Sequence, residues 1–180
     1  MPELTLVIGG TRSGKSAFAT ELAKKDKHVC YIATADSGQS SQFDDGEMLE
    51  RIQKHRKSRP AEWKTVEAPL GLDKAVSNLN ENLDVVLIDC ITIYVTNMLL
   101  GSQKEEGDEH IIDAINKLCS VCKNAPFNVI MVTNEVGYGV VPDNALSRRF
   151  RDIAGYANQI IAGEADNVYL VTAGIENKIK

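Results

Sequence analysis

Short apolar runs recur along the chain, separated by stretches in which apolar residues fall at every third or fourth position. Leu4–Ile8, Val29–Ala33, Val85–Ile88, Val129–Thr133 and Val168–Thr172 are rich in Val and Ile and have the length of buried strands. Lys15–Lys24, Gly46–Lys57, Leu72–Leu79, Thr92–Leu100, Glu109–Lys123 and Ala145–Ala162 carry the spacing of amphipathic helices. This alternation predicts an α/β fold, a mostly parallel sheet with helices on both faces. Lys64–Glu67 is a shorter strand candidate, and Gly174–Lys180 has little pattern of its own. Ser37–Gly46 and Gly101–Asp108 are polar and read as exposed loops inside one domain spanning 1–180.

The first strand runs directly into Gly9-Gly10-Thr11-Arg12-Ser13-Gly14-Lys15-Ser16, which fits G-x-x-x-x-G-K-[ST], and a helix pattern follows at once. Glycines let successive backbone N–H groups turn inward on phosphate oxygens, and the helix N-terminus adds partial positive charge. Lys15 is placed to reach the outer phosphates, and the Ser16 hydroxyl can ligate Mg²⁺. The apolar strand Val85–Ile88 ends in Asp89, which reads as a second magnesium contact across such a site; capping of the next helix is the alternative and is compatible with it. Kinases, motors, switches and nucleotidyltransferases all use this cradle, so it leaves the reaction open. The guanine-reading N-K-x-D of switch GTPases is absent; Asn134-Glu135-Val136 lacks both the Lys and the Asp.

A second feature is Arg51-Ile-Gln-Lys54-His55-Arg56-Lys57-Ser58-Arg59, a basic run around one imidazole. On a helix, Arg51, His55 and Arg59 share one face. Acids at Asp44, Asp45, Glu47 and Glu50 precede the cations, which the helix dipole favours with no ligand present. The alternative is functional: cations hold a triphosphate while His55 attacks phosphorus. An imidazole of ordinary pKa, about 6.5, is largely neutral and nucleophilic at pH 7 without help.

Composition narrows the partners. A net charge of −5 in 180 residues and a pI near 5.3 argue against nucleic acid and anionic membranes. No window reaches the roughly 18 apolar residues of a membrane span, and the N-terminus lacks a secretory pattern, so a cytoplasmic protein is expected. Cys30, Cys90, Cys119 and Cys122 are too few for a disulfide framework. Cys119-Ser-Val-Cys122 has no second pair to complete a zinc site. Tyr138 and Arg148, Arg149 and Arg151 read either as ligand contacts or as an ordinary solvated helix face.

GGTRSGKS at 9–16, YIAT at 31–34, RIQKHRKSRPAEWKTVE at 51–67, IDCITIYVTNML at 88–99, VTNEVGYGVVPDN at 132–144 and FRDIAGYANQ at 150–159 occur in this order. In that succession the chain resembles the bifunctional adenosylcobinamide kinase / adenosylcobinamide-phosphate guanylyltransferases of cobalamin assembly. The resemblance implies a RecA-like P-loop fold, commonly a homotrimer, that phosphorylates adenosylcobinamide and then transfers GMP from GTP onto adenosylcobinamide phosphate. It implies Mg²⁺, GTP as nucleotide substrate with ATP as the alternative for the kinase step, and a guanylyl-histidine at His55. It also implies nucleotide contacts from Gly9 to Ser16, Thr34, Ala35, Asp36, Arg56, Lys57, Ser58, Arg59, Glu67 and Asp89. Asp89 stands where the family often has Glu, one methylene longer, and the 37–46 loop is longer than the family pattern. Two other classes share the cradle: a single-activity P-loop small-molecule kinase, and a non-catalytic nucleotide-dependent switch or ATPase.

Overall fold

The computed structural model describes residues 2–35, 59–80, 82–101 and 107–180. The helix expected over Gly46–Lys57 therefore lies outside the described residues. Seven strands form one sheet: β1 (Leu4–Gly9), β2 (Val29–Ala33), β3 (Lys64–Glu67), β4 (Val85–Asp89), β5 (Asn128–Asn134), β6 (Asn167–Thr172) and β7 (Ile175–Lys178). Their spatial order is β3-β2-β4-β5-β1-β6-β7. All neighbours run parallel except β6 and β7. The helices are α1 (Lys15–Ala23), α2 (Leu72–Ser77), α3 (Ile91–Gly101), α4 (Glu109–Lys123) and α5 (Ala145–Glu164).

Parallel strands buried on both faces need apolar residues at every position, which is why β2 and β4 read as continuous runs. Successive residues then go to opposite faces. Leu4, Leu6, Cys30, Ile32, Val86, Ile88, Val129 and Met131 pack with the apolar stripes of α2 to α5. Val7, Tyr31, Val85, Leu87, Ile130, Val132 and Val171 pack with Ala19 and Ala23 of α1 and with Trp63. Among the described residues, α1 is the one helix on that second face.

The order places β5 between the strand carrying the glycine-rich loop, β1, and the strand ending in Asp89, β4. The chain travels from β1 to one side of the sheet, and later crosses from β5 over β1 to β6 on the other. Such a reversal opens a crevice at the carboxyl ends of the strands. Buried polar side chains fix the end of β5 there. Thr133 Oγ1 donates to Asn158 Oδ1 at 2.8 Å, and Asn158 Nδ2 to the Asn134 carbonyl at 3.0 Å. The Asn134 N–H donates to Thr92 Oγ1 at 2.7 Å.

The C-terminal segment is a strand after all. Thr172 pairs with Ile175, and Ala173 and Gly174 both have positive φ, 53° and 82°. That is the backbone of a two-residue hairpin turn whose twist matches the strands it joins. Every residue of β7 is exposed, so backbone pairing with β6 holds it in place.

Cys119 and Cys122 lie on the buried face of α4, in the apolar core. Burial pushes both thiols up, Cys119 to about 11. Thiols held protonated at neutral pH are poor nucleophiles.

Candidate active site

The loop from Gly9 to Ser16 joins β1 to α1, and its shape depends on close backbone contacts. A Cβ on Gly9 would lie 2.3 Å from the Val171 carbonyl oxygen and 2.7 Å from Ser13 Oγ. Gly14, with φ 99°, would place a Cβ 3.1 Å from Gly174 Cα. The Gly174 N–H donates to the Ser13 carbonyl at 2.8 Å, and the Glu135 N–H to the Gly9 carbonyl at 3.0 Å. The cradle is thus braced by the β6–β7 turn on one side and by the end of β5 on the other. Gly9→Ala is expected to cost about 1–3 kcal/mol through overpacking. Gly10→Ala meets nothing within 4 Å and is expected to melt with the parent protein. Thermal denaturation of both variants checks the contrast.

Gly14 is the N-cap of α1 and supplies no side-chain cap. The first-turn N–H groups of that helix therefore keep their capacity for an anion. Lys15 is 7% exposed, and its Nζ donates back across the loop to the Gly10 carbonyl at 2.8 Å. Ser13 Oγ is buried with no hydrogen-bond partner among the described residues. A buried hydroxyl in that state is costly unless a ligand satisfies it. An orphaned donor, an uncapped helix end and a lysine folded over the loop fit a polyphosphate.

Asp89, at the carboxyl end of β4, accepts a hydrogen bond from the Tyr31 hydroxyl at 2.9 Å. The Arg59 guanidinium lies over the Tyr31 ring, 3.4 Å from its centroid, and Arg59 Nε is buried with no acceptor among the described residues. Ser16, Thr20, Glu21, Lys24, Tyr31, Arg59 and Asp89 line one cleft of about 330 Å³. Burial first, then the Asp89 charge, raise the Tyr31 pKa far above its ordinary value against the lowering effect of Arg59. The phenol therefore stays a donor at any physiological pH.

The other expected contacts are placed less directly. Thr34 is fully buried; its hydroxyl donates to the Cys90 carbonyl and accepts from the Cys90 N–H, both at 2.8 Å. It clasps the end of β2 to the start of α3. Ala35 follows it, half-buried, and Glu67 ends β3 opposite Ala33, exposed. Asp36, His55, Arg56, Lys57 and Ser58 lie outside the described residues. Arg148 donates to the Pro142 and Asp143 carbonyls, while Arg149 and Arg151 pair with Asp108 and Asp152. Each of these arginines therefore has a partner within the chain, whereas Tyr138 is 88% exposed.

Sequence reasoning did not single out Tyr31. An oxygen-bearing aromatic inside an apolar, largely buried strand is a signal that some polar partner lies near it, but not which one.

Loop, facing carboxylate and strand order together define a P-loop nucleotide-binding protein of the α/β class. The chain belongs to the cobinamide kinase / cobinamide phosphate guanyltransferase family, which it matches over residues 5–179. It is 44% identical to the bifunctional adenosylcobalamin biosynthesis protein CobU of Escherichia coli strain K12, over 98% of this chain and 99% of that protein. Its identity to the protein of the same name from Salmonella typhimurium is also 44%, with the same coverage. The bifunctional adenosylcobalamin biosynthesis protein CobP of Pseudomonas aeruginosa is 40% identical, over 97% of this chain and 96% of that protein.

Proposed function

We propose that this chain phosphorylates the aminopropanol hydroxyl of adenosylcobinamide and then transfers GMP from GTP to the new phosphate. The products are adenosylcobinamide-GDP and pyrophosphate, and His55 carries the guanylyl group between the two substrates. One observation supports this reading above the others: Arg59, the last cation of the run around His55, lies in the same cleft as Ser16 and Asp89. The basic run thus delivers at least one cation to the phosphate-binding end of the sheet.

In the kinase step, the loop N–H groups and Lys15 hold the outer phosphates while the corrinoid hydroxyl attacks the γ-phosphorus. The bond from γ-phosphorus to its bridging oxygen breaks, and the nucleoside diphosphate leaves. Positioning and charge compensation carry most of such a transfer. In the second reaction the His55 imidazole attacks the α-phosphorus of GTP, a P–N bond forms and pyrophosphate departs. The corrinoid phosphate oxygen then attacks the same phosphorus and displaces the imidazole. Two displacements spare two polyanions from meeting while both are fully charged.

Ser16 and Asp89 would hold Mg²⁺. Among the described residues no three His, Cys, Asp or Glu side chains cluster as a metal site. That suits magnesium, which takes one or two protein ligands and completes its shell with phosphates and water. When bound, it would neutralise charge developing on the phosphate oxygens.

Incubation with GTP labelled at the α- or the γ-phosphate, followed by denaturation, tests the reading. The α-label is expected to remain on the protein as an acid-labile, alkali-stable adduct, and the γ-label to be released. Phosphorylation of the corrinoid without any retained α-label would reduce the chain to a single-activity kinase.

A further inference from the structure

We propose that Tyr31 is a positioning residue of the nucleotide site, its hydroxyl aiming the Asp89 carboxylate and its ring carrying the Arg59 guanidinium. The inference rests on the reading of Asp89 as a magnesium contact and goes beyond it. The β2–β4 register pairs Tyr31 with Leu87 and Ala33 with Asp89. Tyr31 and Asp89 therefore project from the same face as diagonal neighbours, a separation an aromatic side chain can span. The side chain runs toward the carboxyl ends of the strands, and its hydroxyl meets Asp89 Oδ2 at 2.9 Å.

Tyr31 is 3% exposed. A phenylalanine would fill the same apolar space without a hydroxyl that must be desolvated. Here that hydroxyl restricts rotation of the Asp89 carboxylate, which lines the cleft together with Ser16. Partners of this kind orient metal-binding carboxylates, and their loss costs about 10–100-fold in metal affinity. The ring acts independently of the hydroxyl. Stacking uses the face of a guanidinium and leaves its in-plane N–H groups for an acceptor. Among the described residues Arg59 Nε has no such acceptor, and a phosphate oxygen would satisfy it. One side chain thus sets the cation and the anion of the site through two separable parts.

Tyr31→Phe removes the hydroxyl and keeps the ring; Tyr31→Leu removes both. Binding of a fluorescent GTP analogue with an α,β-methylene bridge is measured in EDTA and again as Mg²⁺ is titrated in. Tyr31→Phe is expected to bind the analogue in EDTA like the parent protein. Its half-saturating Mg²⁺ should rise about tenfold, the lower end of the effect of losing a partner behind a metal ligand. Tyr31→Leu should weaken binding in EDTA as well. Asp89→Asn is the reference, and it should largely abolish the Mg²⁺ response. A normal Mg²⁺ response in Tyr31→Phe beside a lost one in Asp89→Asn overturns the role of Tyr31 and leaves Asp89 in place. A normal response in Asp89→Asn overturns the reading of Asp89 and this inference with it. Circular dichroism melts of each variant separate misfolding from either result, and the conservative Phe variant retains the packing.

Discussion

His55→Ala is expected to abolish retention of α-labelled GMP on the denatured protein and to lower guanylyl transfer by several orders of magnitude, the scale on which removal of a covalent nucleophile acts. Phosphorylation of adenosylcobinamide should continue within a small factor of the parent rate. The asymmetry follows from the chemistry of the two steps. In the proposed mechanism the kinase step is direct attack by a hydroxyl on a γ-phosphoryl group that residues 9–16 would cradle, and no imidazole enters it. The transferase step breaks the bond between the α- and β-phosphates, and its intermediate is a P–N bond for which no other side chain is proposed. Arg59 sharpens the test. Arg59→Ala leaves the nucleophile intact and removes the cation stacked on Tyr31, so it should weaken nucleotide binding while still permitting adduct formation at saturating GTP. Rates of adduct formation and of corrinoid phosphorylation, measured on the same preparations, check the division. Equal loss of both activities in a His55→Ala protein that melts like the parent would refute it.

The sheet and its helices were legible because their physics is local. A parallel strand buried on two faces is an unbroken apolar run, as in β4, and an amphipathic helix such as α4 repeats its stripe within a few turns. The glycine-rich loop of residues 9–16 was legible for a related reason: it is one contiguous segment whose backbone shape calls for glycine at defined steps. Contacts between strands distant in sequence were not. Tyr31 and Asp89 lie 58 residues apart, and Thr34 and Cys90 lie 56 apart. Both pairs meet only because β2 sits beside β4. No local pattern encodes that neighbourhood. The brace behind Gly9 and Gly14 was hidden too, since β7 is exposed throughout and offers no apolar alternation. Thr92, Thr133 and Asn158 read as polar interruptions of apolar stretches. Folding turns them into the bonded group that fixes the end of β5 between the cradle and Asp89.

Lys15 is where the local and non-local readings converge. Lys15→Ala and Lys15→Met are both expected to slow phosphorylation of adenosylcobinamide on the order of a hundredfold to a thousandfold, the usual effect of removing a donor aimed at developing charge. The two should differ in stability. The lysine stem is 93% buried, on the complement of its 7% exposure, and its ammonium already bonds the Gly10 carbonyl. Truncation to alanine removes packed methylenes and leaves a void beneath the loop. Methionine keeps most of that volume without the charge. Lys15→Met should therefore melt closer to the parent than Lys15→Ala while sharing its kinetic defect. That outcome assigns the loss to charge on the transferring phosphate. Near-normal phosphorylation by Lys15→Met would make Lys15 a strut that shapes the loop, with the backbone N–H groups and the end of α1 left to hold the phosphates alone.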